Sequence, residues 1–199
     1  MRNKYLVLVN KKSKIRDDWE ENIQLVRTKN VWSEDIKIEK ETYKQYISLE
    51  KTLKEDGINI KLDSAYRSVQ SQQELWDEWV NVPEKGLAYA KKFMAAPGYS
   101  EHHTGLAIDI CLEKDGELVY DNDKMFADIE TFLKIHAKLA DYGFILRYLK
   151  GKEETTGYTY EPWHIRYVGS KKIAKEIMEN NLTLEEYLTT QKWLKLIHK

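Results

Sequence analysis

In Gly105–Leu112 (GLAIDICL), bulky and small residues alternate, and that pattern narrows what the chain around it can fold into. A period of two is the signature of a strand, whose successive side chains point to opposite faces. Leu106, Ile108 and Ile110 share one face; Gly105, Ala107 and Asp109 share the other. Three large apolar side chains must lie on a core. The opposite face carries two small residues and a carboxylate, which leaves room for a bound group and one oxygen to offer it. The segment is expected to be a half-buried strand that walls a pocket.

The rest of the chain reads as a mixture of strands and helices without regular alternation. Glu39–Gly57 places Tyr43, Tyr46, Ile47, Leu49 and Leu53 near helical spacing, with Gly57 able to end the helix. Ile58–Ser68 alternates Ile58, Ile60 and Leu62 against Asn59, Lys61 and Asp63, as a strand does. Val69–Val80 and Gly86–Ala96 read as helices, and Asp123–Gly143 as one long amphipathic helix closed by Gly143. Phe144–Leu149 and His164–Gly169 read as short strands, then Ser170–Asn180 and Leu182–Thr190 as helices. This order favours an α+β fold over a doubly wound sheet. No repeat or linker divides the 199 residues, which fit a single domain spanning 1–199.

Charge and cysteine content exclude several classes. Lys and Arg number 32 against 33 Asp and Glu, so no basic footprint for nucleic acid or an anionic membrane is present, and partners are expected to be small or peptidic. Cys111 is the single cysteine, which rules out an intrachain disulfide and a cysteine-based zinc site; packing is its expected role. The apolar run Tyr5–Val9 is shorter than the roughly 7–15 residues of a signal peptide and the roughly 20 of a membrane span, so the sequence as given is expected to be cytosolic, or of the cell wall if an export signal has been trimmed from it. Oligomeric state leaves no signal.

Five histidines remain to be placed. His198 lies in a terminal tail, and His136 falls in an amphipathic helix where a structural role is expected. For His102 and Asp109, a seven-residue gap on one helix would mean about 10 Å of rise, too far to share an ion. A loop running into the strand, after Pro97-Gly98, removes that obstacle. His164 opens another strand, with Glu161 three residues before it across Pro162, which restricts both its own backbone and that of Glu161. Two histidines and an aspartate with one open position form the ligand set of a catalytic zinc, and a glutamate beside them suits a general base. Neither spacing is specific, so ordinary polar loop residues fit these positions too.

Three segments taken together carry a resemblance: Ser64–Gln72 (SAYRSVQSQ), Ser100–Asp109 (SEHHTGLAID) and Gly143–Gly169 (GFILRYLKGKEETTGYTYEPWHIRYVG). They resemble the zinc D-alanyl-D-alanine peptidases of the VanY and VanXY type and their L,D-carboxypeptidase relatives. The pattern S-x-H-x-x-G-x-A-x-D is matched at every fixed position, and E-P-W-H-x-R-Y-V-G throughout. The resemblance covers about residues 55–190, and the opening LVLVNKK is similar as well.

It implies an α+β, Hedgehog/D,D-peptidase-like fold with a small, mostly antiparallel sheet flanked by helices. By the same resemblance, His102, Asp109 and His164 would hold Zn2+, and Glu161 would be the catalytic base. Arg67 would bind substrate or transition state, gripping either a terminal carboxylate or the oxyanion. Gln72 and Ser100 match polar pocket positions. His103 stands where relatives often carry glutamine and is expected at the pocket edge. Ala65 and Leu149 depart from a frequent glycine and a frequent proline.

Trp163 and Tyr160 fit either a pocket wall or the core, and Arg166 is placed to support a ligand or a carboxylate. Trp76 and Trp79 are expected to pack. The implied substrate is a peptidoglycan stem peptide or a D-Ala-D-Ala-containing precursor. Release of the terminal D-alanine, with or without cleavage of free D-Ala-D-Ala, is the implied reaction; open alternatives are L,D-cleavage of a tetrapeptide stem, endopeptidase action, and a non-catalytic peptide-binding module.

Overall fold

The computed structural model describes residues 3–82, 86–87 and 94–197, with side chains to residue 191. Its centre is a five-stranded antiparallel sheet in which β3 (Asn59–Ser64), β4 (Ala107–Lys114), β7 (His164–Tyr167) and β6 (Phe144–Leu146) lie side by side in that order. A short β5 (Glu117–Val119) folds back on β4. A separate hairpin, β1 (Leu25–Lys29) and β2 (Asp35–Glu39), had no counterpart in the sequence reading.

Helix α1 (Lys40–Glu55) buries Tyr46, Leu49 and Leu53, one stripe at helical spacing. Ile47, counted with that stripe from the sequence, points outward and is 42% exposed. Helix α2 (Val69–Val80) begins at Ser68, whose hydroxyl accepts from Ser71 N and satisfies one of the first free N–H groups. The long helix expected over 123–143 is broken. Asp128 leaves helical geometry (φ −101°, ψ 38°) and separates α3 (Asn122–Ala127) from α4 (Ile129–Leu139). Its carboxylate accepts from Thr131 Oγ1 and pairs with Lys114 at the end of β4, local bonds that compete with helical ones.

Leu106, Ile108 and Ile110 join α1 and the Phe132, Ile135 and Leu139 stripe of α4 in one core. The closing helices α5 (Lys171–Glu179) and α6 (Leu184–Ile197) supply Ala174, Ile177, Leu184 and Tyr187 to a second cluster around Ile145 and Val168. Cys111 is buried in β4, and burial pushes its thiol up to about 12, which fits packing and not reactivity. Of the helix expected at 86–96, residues 88–93 lie outside the described residues, as does the tail histidine, His198. Among the described residues, no helix is long and apolar enough to cross a membrane.

Gly105 joins the histidine-bearing turn to β4 at φ 69°, a left-handed conformation. A Cβ there would stand 3.3 Å from Glu39 N and 3.1 Å from Leu25 Cδ2. The left-handed geometry alone costs an alanine about 1–2 kcal/mol. Gly105→Ala is therefore expected to lower unfolding stability by at least that amount, read as a shift of the denaturation midpoint. An unshifted midpoint would show that the turn can be rebuilt without strain.

Candidate active site

Register decides the geometry. Asp109 on β4 is paired directly with His164 on β7, and a bulge between Leu62 and Ser64 brings Ser64 opposite Asp109 on its other side. Directly opposed residues have Cβ atoms about 5 Å apart, close enough for their side chains to bond. His164 Nδ1 lies 2.8 Å from Asp109 Oδ1.

His102 comes from the 3-10 turn Glu101–Thr104, where Ser100 Oγ accepts from His102 N. Its Nδ1 donates to the Ala65 carbonyl at 2.6 Å. That leaves His102 Nε2 directed at Asp109 Oδ2, 3.1 Å away.

One donor atom from each of His102, Asp109 and His164 thus falls within 4.8 Å of the other two. The two rings stand 5.1 Å apart and nearly perpendicular. Two imidazole nitrogens and a carboxylate oxygen at such spacing fit a zinc ion with an open position. Burial works against the charge of Asp109, but the two imidazoles hold its carboxyl well below the usual range. Burial likewise disfavours charge on His164, yet Asp109 and Glu101 push it up to about 10.

Glu161 sits just outside the donor set, its Oε2 4.0 Å from His164 Nδ1. Its N–H donates to the Tyr148 carbonyl and its carbonyl accepts from His164 N, which fixes the backbone around Pro162. Burial, reinforced by Asp109, pushes its carboxyl up to about 7 against the pull of His164. His136 has the structural role expected: it is buried, and its Nε2 donates to the Pro162 carbonyl at 2.8 Å.

Arg67 follows β3, and its N–H donates to the His102 carbonyl. Its guanidinium donates to Gln72 Oε1 at 2.9 Å and to Ser64 Oγ at 3.3 Å. Gln72 is itself anchored through Nε2 to the Ala95 carbonyl. Arg67, Gln72, Ser100 and Trp163 line the same cavity of about 290 Å³ as the three donors and Glu161. All eight site residues expected from the sequence therefore meet in one place.

His103 does not line that cavity. It is buried, accepts from Gly98 N at Nε2 (3.0 Å) and donates from Nδ1 to the Arg67 carbonyl (2.7 Å). It is a strut behind the wall, not a residue at the edge, because both ring nitrogens are committed to backbone. Trp163 lines the cavity and packs edge-on against Phe126, whereas Tyr160 contacts Phe126 without lining it. Trp76 and Trp79 do not line it either.

The sequence reading missed Glu101, Tyr148 and Tyr158. Tyr148 lies against the His164 ring, 4.8 Å between centroids, and Tyr158 packs on Tyr148. Glu101 is 2% exposed and receives Arg147 Nε at 2.7 Å and Arg166 Nη1 at 2.6 Å, both on Oε1. Its Oε2 is 3.3 Å from His164 Nε2. Burial opposes its charge, but the two arginines hold Glu101 well below the usual carboxylate range. Arg166 thus bonds a carboxylate, and Glu101 is what stands between it and His164. Nothing in the spacing of residues 101, 147 and 166 announces that they meet.

Comparison with known proteins agrees with this geometry. Residues 35–170 match the family described as VanY, D-alanyl-D-alanine carboxypeptidase. The chain is 40% identical over 157 residues to the bifunctional D-Ala-D-Ala dipeptidase and D-Ala-D-Ala carboxypeptidase VanXYC of Enterococcus gallinarum, covering 77% of this chain and 78% of that relative. A crystal structure of a mutant vancomycin resistance D,D-pentapeptidase VanY from a VanB-type cassette, in complex with Zn(II), superposes with a TM-score of 0.73 at 33% identity, over 93% of this chain and 99% of the other. The LD-carboxypeptidase LdcB superposes with a TM-score of 0.76 at 36% identity, over 95% of this chain and 88% of LdcB. The α+β, D,D-peptidase-like fold expected from the sequence is the one observed, and the chain belongs to the VanY D-alanyl-D-alanine carboxypeptidase family.

Proposed function

We propose that the protein is a zinc-dependent carboxypeptidase that releases C-terminal D-alanine from peptidoglycan stem peptides or D-Ala-D-Ala-containing precursors. One observation carries this reading: His102 Nε2 and His164 Nδ1 converge on the two oxygens of the Asp109 carboxylate, with Glu161 beside them and outside the donor set. Zinc bound by these three residues would act as a Lewis acid and lower the pKa of a water to about 7.

Glu161 would take a proton from the attacking water as its oxygen adds to the penultimate carbonyl carbon. The peptide C–N bond breaks, and Glu161 returns the proton to the departing D-alanine nitrogen. A carboxyl pushed up toward neutrality is suited to both halves of that transfer. The Gln72 and Ser64 bonds hold Arg67 at the cavity wall, close enough that Asp109 acts on its charge. From there its remaining N–H groups can stabilise the developing oxyanion.

Arg67→Lys keeps the charge and loses the planar fork. It is expected to lower kcat/KM by about 100-fold or more, mainly through kcat. A loss confined to KM would reassign Arg67 to the terminal carboxylate of the substrate.

LdcB is as similar in fold as the D,D-enzymes, so L,D-cleavage of a tetrapeptide stem is the second reading. Incubating zinc-loaded protein with D-Ala-D-Ala, a pentapeptide stem and a tetrapeptide stem, with and without chelator, separates the two. Chelator-sensitive D-alanine release from the first two supports the proposal, and release from the tetrapeptide alone supports the second reading. With zinc bound stoichiometrically and no release from any substrate, the protein is an endopeptidase or a peptide-binding module.

A further inference from the structure

We infer that Glu101 is a positioning residue for the metal site: it holds His164 Nε2 as the N–H nitrogen, so that Nδ1 is the atom offered to zinc. The inference rests on the zinc reading above and adds a residue outside its ligands and base. A metal-bound histidine needs its second nitrogen oriented by a hydrogen-bond acceptor, which sets the tautomer and the ring plane. Glu101 Oε2, 3.3 Å from His164 Nε2, is that acceptor. For His102 the same function falls to the Ala65 carbonyl, so the two histidines present opposite nitrogens, Nε2 and Nδ1, to the same aspartate.

The carboxylate of Glu101 is itself held rigidly. Arg147 and Arg166, both fully buried, converge on its Oε1. Arg147 continues to Glu185 on α6 through a two-bond fork of 2.9 and 2.7 Å, and Asn10 donates to the same glutamate. Arg166 also donates to the carbonyls of Tyr5 and Val7. Tyr5, Val7, Asn10 and Glu185 all lie outside the residues 35–170 that match the family. The terminal segments are therefore bonded, through two arginines and Glu101, to the orientation of a metal ligand.

The test combines zinc affinity, measured by competition with a chromophoric chelator, and imidazole nitrogen NMR. In the zinc-loaded wild-type protein, His164 is expected to show a slowly exchanging proton on Nε2 and none on Nδ1. Glu101→Leu, which removes the acceptor, is expected to weaken zinc binding by about 10- to 100-fold. Glu101→Gln, whose amide oxygen still accepts, is expected to recover part of that loss. If both variants bind zinc as the wild type does, or if His164 Nε2 carries no proton, the inference is wrong while the zinc reading stands. If the wild type binds no zinc, the zinc reading fails first. Should the variants not fold, with two buried arginines left without their partner, the wild-type NMR result decides alone.

Discussion

Glu161→Gln is expected to abolish D-alanine release while leaving zinc bound at one ion per chain. Glutamine keeps the shape and the backbone bonds around Pro162 but cannot accept a proton from water. General-base catalysis contributes about 10²–10⁴-fold. In the metal-free protein the carboxyl is buried beside Asp109 and lifted to about 7, as suits a group that both takes and returns a proton. Metal content should not change, because Glu161 lies outside the three converging donors. The measurements are kcat on the preferred stem or dipeptide and zinc by atomic absorption. Activity near wild type would remove Glu161 from the mechanism; loss of zinc together with activity would make it a ligand.

Asp109→Ala has the opposite signature, since metal and activity should disappear together. Asp109 contacts both histidines, so its removal takes away one donor and the group that holds the other two in mutual register. In the wild type, zinc at about 100 times its Kd stabilises the native state by about 2.7 kcal/mol. For a chain of this length each kcal/mol moves Tm by about 2–4 °C. Chelation is thus expected to lower the wild-type Tm by about 5–10 °C, with zinc restoring it and activity returning in parallel. The Asp109→Ala protein should show a Tm that ignores both chelator and zinc. A variant that still gains several degrees from zinc would show that the ion is held elsewhere.

Local patterns were legible where one face of an element is buried. The alternation in Leu106–Ile110 and the stripe in Lys40–Glu55 predicted a strand and a helix that the structure contains, with Ile47 the one outward residue. The β1–β2 hairpin was not read from the sequence: β1 (LVRTK) does not alternate and has no buried residue, and the alternation of β2 (DIKIE) runs for only five residues. Its connection also carries no glycine; Ser33 takes the positive φ of 65° instead. The break at Asp128 was hidden for a related reason. Apolar periodicity runs on across it, and the bond that competes with the helix comes partly from Lys114, on a different strand.

The sequence by itself named the candidates for the site: His102, Asp109 and His164 as ligands and Glu161 as base, by residue type and by resemblance, and Arg67, Gln72 and Ser100 by resemblance alone. Motifs are linear patterns of residue types, and a sequence records them directly. Only the tertiary structure decided which nitrogen of each histidine faces the aspartate, that His103 braces the backbone, and that Glu101 stands behind His164. Those outcomes rest mainly on contacts 36 to 65 residues apart: His103 to Arg67, His102 to Ala65, Glu101 to Arg147 and Arg166, and Asp109 to His164. Such contacts follow from strand register, and a slip of one residue turns every side chain to the other face. Register is chosen by how the whole core packs, so no single segment of the chain carries it.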